Sequence, residues 1–217
     1  MFDCTTENYD KIYSPWLENP DTLLLLGGYK PQDRLLDLCG GSGVVTQAAL
    51  DICHKQRQEH PPIDLLDLNP RFIRCGGTGP AEVIQHKEAA QNLLLRMTPQ
   101  SKDLVVCRQA IAYLDLTNLI PDVASVLVTG GKFVFNSFDR PRRFRSKSYK
   151  FRGARYVEAY VFLFNRIIHL QWRIGVGKDI SIFRYHPITD RLLQLHNLFD
   201  VKMQTEGSSI RWICTKR

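Results

Sequence analysis

Through the first two thirds of the chain, apolar runs of strand length alternate with segments whose apolar residues recur at helical spacing. RLLDLC predicts a strand, and VVTQAALDICHKQ after it a helix. IDLLDLN predicts the second strand, closed by Pro70 and a short helical turn in RFIRC. The loop GGTGP leads to AEVIQHK as the third strand, DLVVCR is the fourth and GKFVFNSF the fifth, with a helix from Asp115 to Leu127 between the last two. Strands that alternate with helices in this way predict an α/β domain, a parallel sheet covered by helices.

After Phe138 the period changes. YVEAYVFLF, RIIHLQWRI and DISIFRY are rich in β-branched and aromatic residues and predict a small antiparallel sheet. The last thirty residues predict a helix capped near Thr189 or Asp190, then a hairpin turning at Glu206 and Gly207. We therefore expect a single domain over residues 1–217, with an inserted segment at 139–186. No internal repeat interrupts this order.

The stretch LLDLCGGSGVVTQAAL joins the first strand to its helix through glycines. In a doubly wound sheet ligands bind outside the carboxyl ends of the strands, and such a turn lets backbone approach them closely. Gly40, Gly41 and Gly43 are placed for that role, and two cofactor types compete for it. A dinucleotide turn ends on a small residue, whereas the run from Gly41 ends on the β-branched Thr46. Asp37 also opposes that reading, because its carboxylate would repel a pyrophosphate. A cationic ligand reverses the sign. S-adenosylmethionine carries an amino group and a sulfonium, and Asp37 can hold that cationic end directly or through water. Asp67, ending the second strand, stands where an acid accepts both ribose hydroxyls, with Leu68 beside it.

LLDLCGGSG, LLDLNP, DLVVCRQAIAYL and GGKFVFNSF, in that order, resemble the successive motifs of the Rossmann-like, class I S-adenosylmethionine-dependent methyltransferases. The resemblance covers about Tyr9 to Phe138 and the final hairpin. It implies a doubly wound, mostly parallel seven-stranded sheet with an antiparallel last strand, S-adenosylmethionine as cofactor, and methyltransferase activity. The family carries glycines at the positions of Cys39, Gly41 and Gly43, so Cys39 is a departure. After the third strand, Glu88 is the acid offered to the adenine amino group and Ala89 the amide that meets the ring, with a solvated helix-start glutamate as the alternative. Cys107 and Arg108 end the fourth strand at the cofactor. The N-terminal YDKIYSPW places Tyr9, Tyr13 and Trp16 where this family folds a segment over the methionine end, or else these aromatics pack a helix onto the sheet.

Methyl transfer is an in-line displacement that needs alignment and, for some acceptors, removal of a proton. Tyr13, Arg108 and His169 are the candidates for contact with the acceptor. Alternation puts Ile167, His169 and Gln171 on one face of their strand, either inward or toward solvent. His54, His60 and His86 read as surface or loop residues. CRQAIAY lacks the acidic or polar residue, paired prolines and aromatic of DNA amino-methylating enzymes, and no metal-ligand set of the catechol type is present.

Charge changes the picture at one place. The net charge is +7, yet Arg140, Arg142, Arg143, Arg145, Lys147, Lys150, Arg152 and Arg155 stand against the single acid Asp139, leaving 21 bases and 21 acids elsewhere. The segment is a lid that recruits an anionic small-molecule acceptor, a strip that binds RNA phosphates with Phe144, Tyr149 and Phe151 as stacking surfaces, or a solvated loop. We favour the lid, and hence a small-molecule methyltransferase transferring to oxygen or nitrogen. The alternatives are an RNA methyltransferase and a non-catalytic binder of the cofactor. Six scattered cysteines without a CxxC pair predict reduced, mostly buried thiols, and no apolar run suits a signal peptide or a membrane span, so we expect a cytoplasmic protein. The oligomeric state is not legible.

Overall fold

A computed structural model of the chain describes residues 19–68, 83–111, 114–138, 156–163, 166–173, 180–185, 191–206 and 209–217. Helix α1 (Pro20–Gly27) begins on Asn19, whose side chain accepts from the Asp21 amide, and on Pro20, whose missing N–H costs nothing in a first turn. Strand β1 (Leu35–Leu38) then leads through the glycine turn into α2 (Val44–Gln56), followed by β2 (Ile63–Leu66), β3 (Val83–His86) and α3 (Ala90–Arg96). Strand β4 (Lys102–Cys107), helix α4 (Leu116–Val126) and strand β5 (Leu127–Phe138) complete the parallel half. The hairpin β9 (Phe199–Glu206) and β10 (Ser209–Lys216) follows α5 (Leu192–Leu198).

These strands form one seven-stranded sheet in the order β3-β2-β1-β4-β5-β10-β9. The first five are parallel, and β10 runs antiparallel to both β5 and β9. The expected fold class is therefore found, with the last strand antiparallel. A reversal of strand order at β1 and β4 opens the crevice where such sheets bind ligands.

Both faces of the sheet are covered, so β1 and β2 are buried at every position and read as continuous apolar runs. Leu36, Leu38, Leu66, Val105, Phe133 and Phe135 pack against α3, α4 and α5. Leu35, Leu65, Leu104, Val106 and Val134 face α1 and α2. One contact ties α5 to α4 through a defect. Pro121 inside α4 has no N–H to give the Thr117 carbonyl, and the Gln194 side chain donates to it instead at 2.8 Å. Helix α5 starts on Arg191 with no side-chain cap, and the expected caps Thr189 and Asp190 lie outside the described residues.

Polar groups also cross the sheet. Asp64 on β2 accepts from Lys102 of β4 and bonds the His86 ring at 2.6 Å, and all three are largely buried. His86 is thus part of a sheet-spanning network and not the surface residue expected. A second, three-stranded antiparallel sheet is built from β6 (Tyr156–Leu163), β7 (Arg166–Arg173) and β8 (Ile180–Tyr185). Its register sets His169 between Tyr160 and Phe183.

Candidate functional site

The turn after β1 is held from three sides. The Gly40 amide donates to the Leu66 carbonyl at the end of β2, and the Gly43 amide to the Gly40 carbonyl, both at 2.9 Å. The Gly41 amide donates to Asp67 Oδ2, also at 2.9 Å. Cys39, Gly41 and Gly43 all have left-handed backbone, with φ of 56°, 57° and 77°. Cys39 thus takes at the family's glycine position the conformation that makes glycine usual there.

Gly40 and Gly41 are needed for opposite reasons. A Cβ at Gly40 would collide with Leu65 and stand 2.6 Å from Cγ of Asp37, whose carboxylate is folded beneath the turn. At Gly41 no described atom lies within 4 Å of the Cβ position, so that surface of the turn is open.

Asp37 is fully buried. Its Oδ2 accepts from both the amide and the hydroxyl of Thr46, at 3.1 and 2.9 Å. The β-branched residue that spoils a dinucleotide motif is here the donor to the buried acid. Among the described residues, Oδ1 of Asp37 has no hydrogen-bond partner. Burial pushes the carboxyl up to about 6, and the bonds from Thr46 and the charge of Arg108 oppose the shift.

Arg108, half-buried beyond β4, therefore serves as a counter-charge to Asp37. The next residue, Gln109, has left-handed backbone at φ 61°, and its amide donates to Asn136 Oδ1 at 2.8 Å. Asn136 is fully buried on β5, and its Nδ2 has no partner among the described residues. Sequence reasoning missed Asn136 as a site residue. The only available signal was one amide inside the apolar run FVFNSF.

The other expected residues divide. Asp67 is half-buried and braces the turn, with Leu68 exposed beside it. Glu88 pairs with Arg96 of α3, which holds its carboxyl below the usual range, and Ala89 sits at the N-cap position of that helix. The solvated-glutamate alternative gave Glu88 no such partner. Cys107 is buried, Cys39 packs against the same cluster, and the Cys39 thiol with burial holds the Cys107 thiol well above its ordinary pKa. His169 belongs to the second sheet and not to the sheet that carries the turn. Tyr9, Tyr13, Trp16 and the whole basic segment lie outside the described residues.

With this geometry, comparison with solved structures shows the fold. A protein of Pyrococcus horikoshii OT3 is similar at a TM-score of 0.70 and 17% identity, over 97% of this chain and 92% of that one. An S-adenosylmethionine-dependent methyltransferase from Aquifex aeolicus is similar at 0.63 and 11% identity over 100% of both chains. Burkholderia thailandensis 1,6-didemethyltoxoflavin-N1-methyltransferase, with 1,6-didemethyltoxoflavin and S-adenosylhomocysteine bound, is similar at 0.57 and 12% identity, over 98% and 84%. The architecture is thus the one these methyltransferases share. No protein-family model matches the sequence, and no curated protein matches it.

Proposed function

We propose that this chain is an S-adenosylmethionine-dependent methyltransferase acting on an oxygen or nitrogen of a small molecule. The observation that carries the reading is the turn itself. Its open surface at Gly41 is bordered by Asp67, and beneath it lies a buried acid with one oxygen that no described residue partners. Those features fit a ligand with a ribose and a cationic end. Asp67 follows β2 beside the turn, and its carboxylate is the acceptor we assign to the ribose hydroxyls. Asp37 would hold the amino end, directly or through water. Cys39, Leu68, Glu88, Ala89, Cys107 and Tyr9 complete the proposed pocket.

When bound, S-adenosylmethionine supplies an electrophilic methyl group on sulfur. The chain's own work is alignment and, where the acceptor carries a proton, its removal. His169 is the proposed base and Tyr13 an acceptor contact. Arg108 acts on the acceptor side while countering the Asp37 charge. The segment 140–155 would draw an anionic acceptor toward the pocket, and the named acceptor of the Burkholderia enzyme supports the small-molecule reading by analogy of fold.

Titration calorimetry with S-adenosylhomocysteine tests the cofactor. Asp67→Ala should weaken binding by roughly ten- to a hundredfold, the loss of a charge-assisted hydrogen bond. Tighter binding of NAD than of S-adenosylhomocysteine would overturn the reading. RNA methylation is the second reading, favoured by the eight bases between Arg140 and Arg155. Neutralising Arg142, Arg143 and Arg145 together should raise KM for an anionic acceptor and leave cofactor affinity unchanged. Gel shifts at two salt concentrations decide between the two. Tight RNA binding that falls with salt by about one log unit per phosphate contacted, and is lost in the triple variant, would favour RNA.

A further inference from the structure

Cys39 is an odd residue to find where it stands. A left-handed φ costs a residue with a Cβ about 1–2 kcal/mol, a cost that glycine avoids. Strict alternation from β1 would also put its side chain on the face of Asp37. The φ of 56° turns it instead onto the other face, where it packs against the cluster that contains Cys107. Strands β1 and β4 are parallel neighbours with Asp37 opposite Val106, so Cys107 ends β4 beside Leu38, one residue before Cys39. With neighbouring strands about 4.8 Å apart and successive residues about 3.3 Å apart along a strand, such a diagonal pair lies about 5.8 Å apart, within the Cα separation of roughly 4.4–6.8 Å that a disulfide spans. Cys39 packs against the buried cluster to which Cys107 belongs, and its thiol is near enough to raise the pKa of the Cys107 thiol.

We propose that Cys39 and Cys107 form a reversible disulfide that disables the glycine turn, making the site sensitive to hydroperoxides. The inference rests on the cofactor reading of that turn. Cys39 is half-buried and Cys107 fully buried, so the oxidant meets Cys39 first. A hydroperoxide transfers one oxygen to the Cys39 sulfur, giving the sulfenic acid and the corresponding alcohol, or water from hydrogen peroxide. The Cys107 sulfur then attacks that sulfur, the S–S bond forms, and the hydroxyl leaves with the Cys107 proton as water. The Cys39 thiol and burial hold the Cys107 thiol well above its ordinary pKa, so the second step, which needs the Cys107 thiolate, is the slower of the two.

The consequence follows from packing. An S–S bond of about 2.05 Å is far shorter than any contact between two unbonded sulfurs, so closure must move Cys39. Cys39 opens the turn, so its movement toward β4 is passed along the chain to Gly40 and Gly41, whose amides are bonded to the Leu66 carbonyl and to Asp67. The displacement therefore falls on Gly41 and its bond to Asp67, on the side proposed for the cofactor.

The test uses the full chain, reduced and then treated with hydrogen peroxide. Free thiols are alkylated and the digest is mapped by mass spectrometry, in parallel with calorimetry against S-adenosylhomocysteine. The expected result is a peptide pair joined through Cys39 and Cys107, an affinity loss of about tenfold or more, as for one lost ligand hydrogen bond, and recovery with dithiothreitol. Cys39→Gly, which suits the observed φ, should show equal affinity before and after peroxide, whatever its starting value. Alkylated Cys39 and Cys107 after oxidation, a cross-link without affinity loss, or a Cys39→Gly protein that still responds to peroxide would each overturn the switch. A reduced protein that binds no S-adenosylhomocysteine would instead refute the cofactor reading, and the peptide map distinguishes that failure from a failure of the thiols to join.

Discussion

Replacing Asp37 with Asn should stabilise the protein and weaken its cofactor site, and the balance should depend on pH. An Asp has an ordinary pKa of 3.8, and burial pushes this one up to about 6. The folded protein therefore holds the proton more tightly than the unfolded chain. Stability from this group is complete below pH 3.8, falls as pH rises toward 6, and stays reduced above that. At about 1.4 kcal/mol per pKa unit the cost near pH 8 is about 3 kcal/mol, comparable to the burial of one or two leucines. Asn keeps an acceptor for Thr46 and carries no charge. Melting curves should therefore show Asp37→Asn near the wild type at pH 4 and higher by about 6–12 °C at pH 8. Adding S-adenosylhomocysteine should raise the wild-type midpoint more than that of the variant. A variant that is less stable than wild type at pH 8, or a difference that does not change with pH, would refute the argument.

Gly40→Ala should lower stability by about 1–3 kcal/mol through overpacking against Leu65 and Asp37, measured by urea unfolding. Gly41→Ala should cost about 1–2 kcal/mol for its left-handed φ and fold normally, yet lose S-adenosylhomocysteine binding in calorimetry because the new methyl group occupies the open side of the turn. Lys102→Met leaves Asp64 buried with His86 as its remaining partner and should destabilise by about 3–5 kcal/mol in the same unfolding assay. Its cofactor affinity should not change, since Lys102 begins β4 at the opposite end from the turn.

Legibility followed the kind of signal each element carries. Helix α2 occupies the run VVTQAALDICHKQ because glycines fix its start and apolar spacing fixes its face. The five parallel strands were legible as apolar runs, although β2 and β3 are shorter than those runs. Helix α1 was not anticipated. Its TLLLLG has four consecutive leucines and no period, so only the Asn19-Pro20 start signal was available, and burial of Leu23 and Leu24 completes the helix. Asn136 and the pairing of Glu88 with Arg96 were invisible for another reason. The first depends on register between β4 and β5, and the second on a helix turn that brings residues eight apart into contact.

Thr46, which departs from a dinucleotide turn, and Cys39, which departs from the methyltransferase motif, each acquire a physical meaning. Thr46 gives both its donors to Asp37, and without them the buried carboxylate would lose the bonds that oppose its neutralisation. Cys39 exchanges backbone ease for packing against the buried cluster that contains Cys107. With the Asp37 carboxyl at about 6, the group is mostly ionised at neutral pH, and Asp67 adds a second acid beside the turn. A pyrophosphate brought there would have to force a proton onto Asp37 or accept the repulsion of both carboxylates in a region of low dielectric. A ligand with a positive end meets the opposite situation. Its charge lowers the carboxyl's pKa, binding releases a proton, and affinity should strengthen as pH climbs from about 5 to 7, the reverse of the order expected for a phosphate-bearing ligand.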